Sequence, residues 1–159
     1  MTAFTTRPEI LGTFGVVTST HWIASAAGMS ILEKGGNAFD AAVATGFTLQ
    51  VVEPQLNGPG GDMPAIIYSK KKDKVEVICA QGPAPAGATI KYYKSQALDL
   101  IPGDGLLATV IPGSFDGWML MLRDYGTLSV RDVLEPAIYY ARNGHPMLPR
   151  VAATIEGMG

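Results

Sequence analysis

The strongest constraint on this fold is a helix built largely from small residues. Between Ala38 and Val52 the chain places Ala38, Ala41, Ala42, Ala44 and Gly46 before Leu49, Val51 and Val52. Small side chains let a helix backbone approach its neighbours closely, so burial on more than one face is expected. The punctuation on either side agrees. Asn37 suits an N-cap, Asp40 falls three residues on near the positive helix end, and Glu53-Pro54 closes the segment. Upstream, Ile23, Ala27 and Ile31 recur at spacing four within Trp22 to Lys34, and Gly35-Gly36 stops that helix as a left-handed cap.

Around this pair the chain mixes both kinds of element. Gly15 to Ser19 reads as a short strand feeding the first helix. Ala65–Ser69 and Val75–Ala80 read as two strands whose connection, Lys70 to Lys74, is the solvated tip of a hairpin. Gln81 to Thr89 is too rich in Gly, Pro and Ala for a regular element. Pro112-Gly113 opens a helix that reaches about Tyr125 and ends at Gly126. A further amphipathic helix runs from Leu128 to Asn143, with Val130, Val133, Leu134, Ala137, Ile138 and Ala141 on its stripe and Gly144 after it. Another begins at Arg150. The class is α/β (α+β), and no repeat or linker divides residues 1–159.

Charge narrows the picture. Only 16% of the 159 residues are charged, against about 25% in a typical soluble domain, so some of the surface is expected to be covered. A net charge of −2 gives no electrostatic case for nucleic acid or an anionic membrane. Ile10 to Leu32 lacks any charged residue, but Thr18-Ser19-Thr20-His21 would sit near a bilayer centre, which argues against a spanning helix. Arg7 and the apolar run after it resemble a leader, yet Glu9 and two glycines spoil the pattern, so a cytoplasmic location is the expectation.

Few residues announce chemistry. A single Cys excludes an internal disulfide, and Cys79, in an apolar strand, reads as a buried, inert thiol. His21 and His145 lack the spaced partners of a zinc site and read as structural or surface residues. Gly58-Pro59-Gly60-Gly61-Asp62 is a tight loop in which positive φ or close backbone approach is expected. It lacks the Lys-Ser/Thr of a phosphate cradle, precedes a strand, and ends on an acid. No cofactor is expected. Composition and spacing give a globular α/β piece without a function.

An ordered set of motifs adds more. Gly35-Gly36-Asn37-Ala38-Phe39-Asp40-Ala41-Ala42, Val51-Val52-Glu53-Pro54, Gly58-Pro59-Gly60-Gly61-Asp62, Gly82-Pro83-Ala84-Pro85, Val110-Ile111-Pro112-Gly113, Tyr125-Gly126-Thr127-Leu128 and Leu134-Glu135-Pro136-Ala137 follow in sequence. Together they resemble the gamma-glutamyltransferase family, from about residue 14 to 150. The resemblance implies an N-terminal-nucleophile hydrolase, in which two sheets lie between helical layers and a precursor cleaves itself into a large and a small subunit. The nucleophile would be the new N-terminal Thr of the small subunit, activated by its own amine.

The chain resembles only the first part of the large subunit, so it contains no catalytic residue and is expected to be inactive alone, a single incomplete domain whose last helix is cut short at Gly159. Its implied partners are the rest of the large subunit, the small subunit and a small-molecule amide substrate. Gln81 occupies the position where gamma-glutamyl-specific members carry an Arg that grips the substrate's α-carboxylate. Glutamine supplies neither the charge nor the bidentate fork, so ordinary gamma-glutamyl recognition is not expected. Gly35, Gly36, Asn37, Asp40, Gly58, Gly60, Gly61 and Asp62 are implied to be structural. Asp62 together with Gln81 resembles the gamma-glutamyltransferase-like branch, which includes acylases. The rival expectation is a non-catalytic binding or structural module from a truncated or degenerate member.

Overall fold

The computed structural model describes residues 9–103 and 105–157. Arg7 and Gly159, invoked above, lie outside them. Six α-helices and one hairpin follow in the order α1 (Trp22–Glu33), α2 (Ala38–Val52), β1 (Met63–Ser69), β2 (Lys74–Ala80), α3 (Ile90–Ser95), α4 (Ser114–Tyr125), α5 (Val130–Asn143) and α6 (Pro149–Glu156).

The small-sided α2 is the hub. It packs against α1, α4 and α5, and nine of its residues are buried. Glycine makes the closest approaches possible. A Cβ on Gly28 of α1 would lie 2.1 Å from the Thr45 hydroxyl oxygen, and one on Gly46 would lie 2.5 Å from the Trp118 ring. The main core gathers Ile31, Val43, Phe47, Met121 and Val133 from four helices with Met63, Ile67 and Ile78 from the hairpin. Gly35, at φ 92°, turns α1 into α2.

β1 and β2 pair antiparallel, with Met63 opposite Ala80 and Ser69 opposite Lys74. One face of this hairpin sits on the core through Met63, Ile67 and Ile78. The other presents Ile66, Tyr68, Val75 and Val77, all large, apolar or aromatic, and exposed. Each strand has one unpaired edge among the described residues.

Several expectations need correction. Gly15–Ser19 forms no ladder, because no strand among the described residues pairs with it. Cys79 is exposed, since strand alternation puts Ile78 on the core face and Cys79 on the opposite one. Val130 and Ala141, expected on the buried stripe of α5, are exposed, and Val133 and Ala137 carry its burial. In the glycine loop it is close backbone approach and not positive φ that occurs: none of Gly58, Gly60 and Gly61 has a positive φ, and a Cβ on Gly61 would lie 3.3 Å from the Gly58 carbonyl oxygen. The short α3 forms after Thr89, where the sequence marks no element, and buries no residue.

Candidate functional site

Three of the motif segments converge at the N-terminus of α4. Gly113, its N-cap, has no side chain to satisfy the first amides, so carbonyls of the glycine loop do it. The amides of Gly113 and Ser114 donate to the Gly61 carbonyl at 3.3 and 2.8 Å, and Phe115 donates to that of Pro59 at 3.2 Å. These donors are therefore already used, which excludes them as an anion cradle. The Gln81–Pro85 segment closes the same junction. The Ile111 amide donates to the Pro83 carbonyl at 3.0 Å, and a Cβ on Gly82 would fall 1.3 Å from the Ile111 carbonyl oxygen. Gly113 and Gly117 bring α4 against Ala80 at the end of β2 in the same way.

This junction sets the position of Gln81. It lies just past β2, exposed, with its Oε1 3.8 Å from the Cys79 thiol, at the mouth of a groove of about 400 Å³ between β2 and α4. Glu76, Asp116 and Tyr125 line the same groove, and no Lys or Arg does. Glu76 is held ionised. Lys74 and Lys72 hydrogen-bond to it, with a further bond from the Tyr125 hydroxyl at 2.9 Å, and these drop its carboxyl to about 2. Asp116 is a residue that sequence reasoning misses. Its place in the first turn of a helix opened by Pro112-Gly113 is the available signal.

Asp62 and Gln81 flank the same end of the hairpin, next to the Met63–Ala80 pair, but their side chains line different cavities. Asp62 is exposed and lines a small cavity of about 100 Å³ with Gln50, Asn57 and Ser114. Asn37 and Asp40 lie at the N-terminal end of α2, a 15-residue helix about 22 Å long. There the Asn37 side chain accepts from the amides of Phe39 and Asp40, and its own amide group donates to the Tyr125 carbonyl at 2.7 Å. Asp40 is wholly buried. It accepts from the amides of Asn37, Thr127 and Leu128 and from the Thr127 hydroxyl. Burial alone would raise its pKa, but these donors reverse the effect and leave it below the usual carboxylate range. Gly36 is pressed against Ile31 and Leu128 in the same region. Asn37 and Asp40 thus tie α2 to the α4–α5 connection.

The histidines, distant in sequence, meet. His21 is buried, with the His145 ring edge-on at 6.4 Å between centroids. Among the described residues no group of His, Cys, Asp or Glu is arranged to hold a metal ion, and no helix is long and apolar enough to cross a membrane.

Residues 24–158 match the gamma-glutamyltranspeptidase family. The chain belongs to that family. It is 43% identical over 140 residues to the glutathione hydrolase-like YwrD proenzyme of Bacillus subtilis, a match covering 87% of this chain and 26% of that protein. It is 36% identical over 154 residues to the acylase ACY 1 proenzyme of a Pseudomonas species, covering 91% of this chain and 27% of the relative. The solved structure of LmbA2991HD superposes with a TM-score of 0.90 at 54% identity, over 98% of this chain and 27% of that one. The chain therefore spans about a quarter of the length of these relatives.

Proposed function

We propose that this chain is the first part of the large subunit of an N-terminal-nucleophile amide hydrolase or acyltransferase, whose nucleophilic Thr and oxyanion donors lie in polypeptide beyond these residues. The observation that carries the reading is family membership over a quarter of the relatives' length, joined to a hairpin whose outer face is apolar and bare. The rest of the large subunit and the small subunit would cover that face and extend the sheet at its free edges. Stacking of a second sheet there, at about 10 Å, would complete a sandwich with helical layers.

Substrate choice follows from the groove beside Gln81. An α-carboxylate needs a cation or a bidentate donor, and the groove lining offers the neutral Gln81 amide and Asp116, with Lys72 and Lys74 already paired to Glu76. An acyl group without a free carboxylate there fits this lining better than a gamma-glutamyl group. The name acylase borne by one relative agrees with this.

The substitution Gln81→Arg in the complete protein tests the assignment. It should raise turnover of gamma-glutamyl-p-nitroanilide about tenfold, about 1.4 kcal/mol of added transition-state binding. Unchanged gamma-glutamyl turnover with the protein folded would remove Gln81 from the acyl pocket.

A further inference from the structure

Away from that groove, at the C-terminal end of α2, the ends of three helices meet around one buried imidazole. His21 is 1% exposed and caps the N-terminus of α1. Its Nδ1 accepts from the Ile23 amide at 3.2 Å, which fixes the ring as the neutral tautomer with its proton on Nε2. That Nε2–H is buried and has no partner among the described residues. His145 approaches the ring from the α5–α6 connection, and Trp22 stacks on it at 5.9 Å. Beside them Glu53, the C-cap of α2, is wholly buried. It accepts from the Thr20 hydroxyl and, at 2.8 Å, from the guanidinium of Arg150 in the first turn of α6. Val151, the next residue of α6, is also wholly buried.

We infer that this cluster is an acid-sensitive latch, in which neutral His21 caps α1 and seats the α5–α6 connection, and protonated His21 opens both. The reason is local. A protonated Nδ1 cannot accept from Ile23, so the cap is lost, and the new charge sits at the positive end of α1 and near Arg150. Glu53 favours the charged ring, but both its oxygens already have donors. Burial is the main cause that holds the His21 pKa below its ordinary value, with Glu53 opposing and His145 and Arg150 adding to the effect. The unfolded chain therefore binds more protons than the latched one just below the ordinary histidine range. Latch stability is full above about pH 6.5 and falls as the pH drops from there.

Hydrogen exchange read by mass spectrometry on the complete protein, at about pH 7.5 and about pH 5 with intrinsic rates divided out, tests this. In the wild type, protection of peptides spanning residues 20–34 and 148–156 should fall about tenfold at the lower pH. His21→Asn supplies a cap that does not titrate and should keep its protection at both values. His145→Asn leaves the cap in place, so residues 20–34 should still lose protection at the lower pH as in the wild type. Constant protection in the wild type, an equal loss in His21→Asn, or abolition of the loss at residues 20–34 by His145→Asn would each overturn the inference.

Discussion

Asp40 shows how a single residue holds several elements. It lies inside a capping box at the start of α2, and its oxygens also receive the Thr127 and Leu128 amides nearly ninety residues later. The local half of this role is readable from Asn37 and Asp40 standing three apart. The distant half is not, because no local pattern says which loop will arrive. Asp40→Asn should destabilise the protein by about 3 kcal/mol, since a charged acceptor is exchanged for an amide among fixed donors. Because the folded carboxyl titrates below its unfolded value, its contribution is present above about pH 4 and is lost as the pH falls further. Denaturant midpoints measured from neutral to acid pH should slope less for Asp40→Asn than for the wild type. Cys79 makes the complementary point. In β2 the wholly apolar alternation is Val75, Val77 and Cys79, yet it is the set with Lys74 and Glu76 that reaches the core through Ile78, so the thiol lies on the exposed side.

At the scale of elements, what is legible is what is local. The bounds of α2 and the hairpin tip follow from caps, period and charge within a few residues, whereas the helix expected from Leu128 starts at Val130 after a Ser129 cap. Gly15–Ser19 carries the same kind of signal for a strand, but a ladder needs a neighbour, and none among the described residues supplies one. The short α3 escapes a sequence reading because it buries nothing, and its Thr89 cap is its main local mark. Glycine motifs also sort by structural cause. Gly82 is required by close approach to Ile111, whereas a Cβ on Gly58 or Gly87 would meet nothing within 4 Å. Gly82→Ala should therefore cost about 3 kcal/mol by forcing the β2–α4 junction apart, while Gly87→Ala should stay within about 0.5 kcal/mol of the wild type. Chemical denaturation of the two variants side by side checks the contrast.

On the scale of the whole molecule, the shortage of charge and the bare hairpin face are one fact seen twice. Ile66, Tyr68, Val75 and Val77 form a contiguous apolar surface of the kind that soluble proteins keep for an interface. The family is legible because its motifs are colinear, and they map onto the junctions of α2 with the α4–α5 connection and of β2 with α4. The candidate site is legible only as far as Gln81, since Asp116 and Glu76 join it through the packing of α4 on β2. The central claim is that these residues scaffold an amide-cleaving site whose nucleophile lies elsewhere. Parallel assays of purified residues 1–159 and of the complete protein, each given simple amides and gamma-glutamyl-p-nitroanilide, test it most directly. Turnover by the complete protein with none by residues 1–159 is the predicted result, and hydrolysis by residues 1–159 alone would contradict it.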